Sequence, residues 1–188
     1  MESMKVRDVM VPSSAFPKIA ASATLFETLS ALESAQERYL SGQAEQRILL
    51  VEDDQGRIVG KVSPIDLLRG LETNYAELST EDVVSRYGFD YIWKSMRSDF
   101  HLWEDPFRDL CGRADRVRVG DFAKLPARGH RVAPDDPLAT CLHLFVMIRH
   151  DSLFVVDGDT VLGLLRFSDV YRLVSRSLHE CARRLEQP

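Results

Sequence analysis

The chain lacks most features that would mark it as secreted, membrane-spanning or nucleic-acid-coating. It has only three cysteines, Cys111, Cys141 and Cys181. They are odd in number, far apart and without Cys-x-x-Cys spacing, which gives neither a disulfide framework nor a zinc site. No apolar run approaches the roughly 18 residues of a membrane helix. Lys5, Arg7, Asp8, Pro12 and Pro17 break up the N-terminal stretch, so no secretory signal is expected there and the cytoplasm is the expected compartment. Positive charge is not in excess: 24 Lys and Arg stand against 29 Asp and Glu, a formal net charge of -5. General affinity for a DNA or RNA backbone is therefore not expected.

Catalytic signatures are missing as well. No Gly-x-Ser-x-Gly elbow, Gly-rich phosphate loop ending in Lys-Ser/Thr, or Gly-x-Gly-x-x-Gly fingerprint occurs. The five histidines, His101, His130, His143, His150 and His179, form no His-x-x-x-His or Glu-x-x-His ligand pattern. Neither a metal site nor a catalytic residue is expected, and the chain reads as a protein that is not an enzyme. What is present is ordinary globular material: 188 residues, 45% apolar and 28% charged, enough to bury a core.

The chain is similar to itself. Val6-Arg7-Asp8-Val9 aligns with Val119-Gly120-Asp121-Phe122 at an offset of 113, which also carries Ile19-Ala20 onto Val132-Ala133, Leu25 onto Leu138, Leu29 onto Leu142 and Leu32 onto Phe145. Beyond that helix the offset falls to 105, placing Ile48 to Glu52 on Leu153 to Asp157, and then to 103, placing Ile58-Val59-Gly60 on Val161-Leu162-Gly163 and Asp66 on Asp169. Length changes concentrated after a helix and in a turn are what a structural duplication tolerates.

Each copy reads strand, helix, strand, strand, helix. In the first, Lys18-Ile19-Ala20 is a short strand, and Ser22 is placed to cap a helix whose Leu25, Leu29 and Leu32 recur at helical spacing. Ile48 to Val51 is a short, continuously apolar strand, Asp53 to Gly56 a turn, and Ile58-Val59 the start of the return strand. The second copy repeats this with Asp135-Asp136-Pro137 opening its helix and Asp157-Gly158-Asp159 as its turn. Residues 72–115 have no counterpart. They hold eight of the sixteen aromatics, among them Tyr91, Trp93 and Trp103, and read as a helical insertion.

The lead-in Val6-Arg7-Asp8-Val9-Met10, the strand ends Leu50-Val51-Glu52 and Val155-Val156-Asp157, and the closing segments GKVSPID (60 to 66) and GLLRFSD (163 to 169) resemble cystathionine-beta-synthase-type (CBS) domains. The whole resembles the tandem CBS pair called a Bateman module. The resemblance implies a mixed α/β (α+β) fold of two β-α-β-β-α repeats packed as a pseudo-symmetric pair: a first domain over 4–71, the insertion over 72–115, a second domain over 116–178, and a C-terminal helix end over 179–188. It implies a regulatory module binding an adenosine-containing ligand (AMP, ADP, ATP or S-adenosylmethionine) in clefts between the copies, a homodimer, and signalling to a separate partner protein. No cofactor beyond such a regulatory ligand is implied.

In the family the Ser/Thr three residues after the glycine contacts phosphate or ribose, and the Asp six after it holds ribose hydroxyls. These positions are Ser63 and Asp66 in the first copy, and Arg166 and Asp169 in the second, where the hydroxyl is missing. A helix start beside Ser63 suits an anion, and a carboxylate suits a ribose diol. The same Ser-x-x-Asp spacing also makes a helix cap. Arg166 at a helix start either grips a phosphate or pairs with a neighbouring carboxylate. Lys18, Ile19, Arg131 and Val132, on the first strand of each copy, are further candidates, with His130 adjoining as either a phosphate contact or an exposed loop residue. A rival reading is an interaction scaffold with vestigial clefts that works through its aromatic insertion.

Overall fold

The computed structural model describes residues 3–71, 110–123, 128–148 and 151–185. Residues 72–109, with the aromatics that mark the insertion, lie outside them; residues 110–115 belong to a helix that closes it. The chain divides into two units, one of residues 17–125 and one of residues 1–16 with 126–188. Among the described residues, no helix is long and apolar enough to cross a membrane.

In the unit of residues 17–125, strands β2 (Lys18–Ala20), β3 (Leu49–Glu52) and β4 (Ile58–Val62) form one sheet in the order β2-β3-β4, with β2 and β3 parallel. Helix α1 (Leu25–Leu40) links β2 to β3, and α2 (Pro64–Leu71) follows β4. The same unit holds α3 (Leu110–Arg116) and the single turn α4 (Val119–Phe122). In the other unit, β1 (Val11–Pro12), β5 (Arg131–Val132), β6 (Ser152–Asp157) and β7 (Thr160–Arg166) are ordered β1-β7-β6-β5, with α5 (Leu138–Ile148) before β6 and α6 (Phe167–Leu185) after β7. The fold is mixed α+β, with the two expected copies of one element order.

The start of α1 differs from the sequence expectation. Thr24, not Ser22, is the cap: its hydroxyl accepts the Glu27 N–H at 3.0 Å while the Glu27 carboxylate accepts the Thr24 N–H at 2.8 Å. Only Thr24 has a glutamate three residues on, so only there can both orphan donors be satisfied reciprocally. The buried face is Leu25, Thr28, Leu32 and Ala35. Leu29, expected on that face, is 41% exposed, because at ~100° per residue it stands about a quarter-turn from the centre of the stripe. Thr28 takes the buried place and satisfies its hydroxyl on the Thr24 carbonyl at 2.7 Å.

The lead-in segments change places between the copies. Val6 precedes the first copy in sequence, yet it is fully buried in the core of the unit holding the second, with Val132, Leu138, Phe145, Leu153 and Val155. Val119 precedes the second copy and is fully buried with Leu32, Leu49, Val51 and Val62 of the first. The attachments repeat at the alignment offset. The Val6 N–H donates to the Asp136 carbonyl (3.0 Å), Arg7 N–H to Pro134 (3.0 Å) and Leu138 N–H to Met4 (2.9 Å); their counterparts are Val119 to Ala23 (2.8 Å), Gly120 to Ala21 (2.9 Å) and Leu25 to Val117 (3.0 Å). Each buried valine contributes on the order of 1.5–3 kcal/mol, so each unit takes a keystone from the sequence before the other copy.

The ladders also correct the alignment after the first helix. Val51 pairs with Gly60 and Val155 with Gly163, each at the residue before the register shift of its strand. The strand offset is therefore 104, not 105, and Glu52 corresponds to Val156 while Asp53 corresponds to Asp157. Side chains alternate along a strand, so this single residue decides which of them share a face.

Thr28 corresponds to Cys141, which is buried and directs its Sγ at the Pro137 carbonyl, 3.8 Å away. Burial, with the Asp136 charge as a lesser cause, pushes its thiol up to about 11. Cys111 and Cys181 are exposed. Since the thiolate is the nucleophile, iodoacetamide at pH 8 is expected to modify Cys111 and Cys181 of the native protein and spare Cys141. Peptide mass spectrometry checks this, and equal labelling at Cys141 would contradict the packing described.

Candidate ligand site

In the first copy the chain leaves β4 at Val62, and Ser63-Pro64 turns it into α2. Asp66 is 1% exposed, and its Oδ2 accepts the Ser63 N–H at 3.0 Å and the Ser63 hydroxyl at 2.6 Å. The Arg69 guanidinium stands 3.5 Å from Oδ1. The structure brings Ser63 and Asp66 together as the spacing requires, in the arrangement of a helix cap: the carboxylate is held rigidly by donors of its own turn.

Lys18 sits on β2 in register with Leu50 and, across β3, with Lys61. Lys18 and Lys61 therefore project on one face of the sheet. Lys18 Nζ pairs with Glu52 at 2.5 Å, diagonally across the parallel strands. Ile19 points the other way and packs against the Leu32–Val51 core.

Beside β2 lies an open groove of about 820 Å³, lined by Lys18 and Ile19 and also by Ser22, Thr24, Glu27 and Arg118. Sequence reasoning missed Ser22, Arg118 and Lys61. Arg118 belongs to the lead-in that the alignment assigns to the other copy, and nothing in the sequence says that this lead-in crosses over. Within the groove the Thr24 N–H and hydroxyl, and then the Arg118 charge, hold the Glu27 carboxyl below its usual range.

The second copy solves the same positions differently. Arg166, at the end of β7, stands where Ser63 stands and turns onto Asp169: Nε is 2.5 Å from Oδ2 and Nη2 is 2.7 Å from Oδ1. Arg172, the counterpart of Arg69, lies 3.6 Å from Oδ1. Of the two sequence readings of Arg166, the structure displays the ion pair with a neighbouring carboxylate. Arg131 is exposed on β5, and Val132 is buried in the core. His130 is half-buried in the single turn before β5. The corrected register places Val156 where the first copy has Glu52, so the Lys18–Glu52 pair is not repeated at that position.

At the place of the Ser22–Arg118 corner, the second copy carries Asp135, which binds Lys5 at 2.7 Å and also Arg7. The Lys5 hydrogen bond, with the Arg7 charge, lowers the Asp135 pKa. A lowered carboxyl stabilises the fold fully above the ordinary carboxylate range and loses that contribution as pH falls through its lowered value, so this clasp weakens only in acid. Where Ser22 and Arg118 of the first copy line an open groove, the second has an exposed ion-pair cluster on the lead-in.

The CBS domain family model matches residues 6–73 and 130–176. No curated protein matches by sequence. Among solved structures, CBSX2 in complex with AMP is 21% identical with a TM-score of 0.51, covering 92% of this chain and 96% of that one. A hypothetical conserved protein of Geobacillus kaustophilus is 15% identical with a TM-score of 0.55, covering 93% and 98%. A CBS domain pair/ACT domain protein of Thermotoga maritima is 21% identical with a TM-score of 0.50, covering 93% and 99%. At such identities these structures speak for the fold alone. Two matched regions, two copies of one element order and two aspartates at one position of each copy establish that the chain belongs to the CBS domain family, as a tandem pair.

Proposed function

We propose that this CBS pair is a non-catalytic sensor that binds an adenosine-containing ligand, AMP, ADP, ATP or S-adenosylmethionine, and signals to a separate partner protein by a change of conformation, working as a homodimer. The observation that carries the reading is the recurrence of Asp66 and Asp169 at one place in the fold, each at the start of a helix and each flanked by a cation. A carboxylate at this place can accept hydrogen bonds from a ribose diol, once the groups covering Asp66 and the arginine on Asp169 give way. The AMP held by CBSX2 supports the ligand class. Lys18 and Ser63 in the first copy, and Arg131, His130 and Arg166 in the second, are the proposed polar contacts, with Ile19 and Val132 contributing backbone.

Thermal shift against adenosine, AMP, ADP, ATP and S-adenosylmethionine tests it. At least one ligand is expected to raise the melting temperature by a few degrees at about 100 times its Kd, and Asp66→Asn with Asp169→Asn is expected to abolish the shift. Silence across the panel would favour the scaffold reading, to which the closed Arg166–Asp169 pair lends one observation.

A further inference from the structure

We infer that the two copies read different ligand chemistry, the second being selective for an anionic, phosphate-bearing ligand because Arg166 closes over Asp169 until a ligand phosphate draws it away. This rests on the adenosine reading above and concerns what sets its specificity.

One position of the fold carries different residues in the two copies. Ser63, one residue past β4, and Arg166, the last residue of β7, occupy equivalent positions, and both donate to the aspartate three residues on. Ser63 is neutral and engages only Oδ2 of Asp66. Arg166 is charged and engages both oxygens of Asp169, in a pair whose side chains are 19% and 12% exposed. A neutral ribose diol arriving at Asp169 must displace a bidentate, charge-assisted bond in partly desolvated surroundings, and it offers the released guanidinium nothing in return. A nucleoside phosphate replaces what it removes: its diol takes the carboxylate while its phosphate takes Arg166 in the same fork geometry.

Two further features fit the opened state. Arg172 remains 3.6 Å from Asp169, so the carboxylate keeps a counter-charge when Arg166 leaves. Arg166 also sits at the positive end of the long α6, where a cation is disfavoured and an added anion is welcome. In the first copy Arg69 likewise stands 3.5 Å from Asp66, but Ser63 is neutral, so there is no guanidinium for a phosphate to draw away and binding of a diol there does not depend on one.

The test uses the full chain carrying Asp66→Asn, so that Asp169 is the remaining ligand carboxylate, with Arg166 intact or changed to Ala, Ser or Lys. AMP and adenosine are titrated by calorimetry into each, and AMP also into wild type. With Arg166 present, AMP is expected to bind about 10- to 100-fold more tightly than adenosine. Arg166→Ala and Arg166→Ser should collapse that ratio towards one, with adenosine binding unchanged or tighter, and Arg166→Lys should fall between. Ser is the residue the first copy carries there, so the fold accommodates it, and matching melting temperatures confirm this. An AMP-to-adenosine ratio that Arg166→Ala leaves unchanged would overturn the inference. So would AMP binding to wild type but not to the Asp66→Asn protein, and both outcomes leave the adenosine reading intact. Failure of AMP to bind wild type would overturn this inference, and failure of the whole adenosine panel to bind would overturn both readings.

Discussion

Val6→Asp is expected to strip amide protection from β5, β6 and β7 and to leave β3 and β4 protected, although Val6 lies in sequence beside the first copy. Val6 is fully buried among Val132, Leu138, Leu153 and Val155. An unpaired carboxylate there costs several kcal/mol, a large part of the roughly 5–15 kcal/mol that holds a domain together. Val119→Asp is expected to do the reverse, exposing Leu49–Val62 while sparing Ser152–Arg166, because Val119 fills the core around Leu32, Leu49 and Val51. Hydrogen exchange read by mass spectrometry resolves the two patterns. Loss of protection in Leu49–Val62 on Val6→Asp would contradict the exchange of lead-ins.

Gly163→Ala should be nearly as damaging, for a different reason. A Cβ at Gly163 would lie 2.1 Å from the Val11 carbonyl oxygen and 3.0 Å from the Pro12 Cα, both backbone atoms of the strand that pairs with it. Backbone in a ladder has no rotamer by which to yield, so β1 must leave β7. The expected loss is about 3 kcal/mol or more, or ~12–24 °C in melting temperature for a unit of this size. Gly158→Ala is the control. Gly158 has a φ of +58° with nothing within 4 Å of an added Cβ, so only the left-handed backbone is penalised, at about 1–2 kcal/mol. Comparable melting temperatures for the two variants would contradict the close approach of β1 to β7.

The elements of each copy were legible because their signals are local. The apolar runs at Leu49–Val51 and Leu153–Val156, the glycine turns and the Ser-x-x-Asp helix start each announce themselves within a few residues. Where the lead-ins dock was not legible. Val6 and Val119 show the same apolar pattern whichever copy they pack on, and the offset that relates the copies is identical either way. The slip from 104 to 105 has a similar origin: a run of apolar residues in a covered strand carries no alternation to fix its register, which is set by the pairing of Val51 with Gly60 and Val155 with Gly163. Leu29 was misplaced because one threonine, Thr28, is buried by bonding back to its own helix. At the site, the spacing located Asp66 and Asp169 but not what holds them. A serine and an arginine at equivalent positions read as presence and loss of a motif. The structure shows them as two ways of holding one carboxylate.

The most direct test of the account is calorimetric titration of AMP into the wild-type chain and into Asp66→Asn with Asp169→Asn, at matched melting temperatures. The account predicts saturable binding by wild type and a loss of about tenfold or more in the double variant, as befits removing charged acceptors from a ribose diol. Saturable binding of undiminished affinity in the double variant would contradict the claim that the paired aspartates hold the ligand.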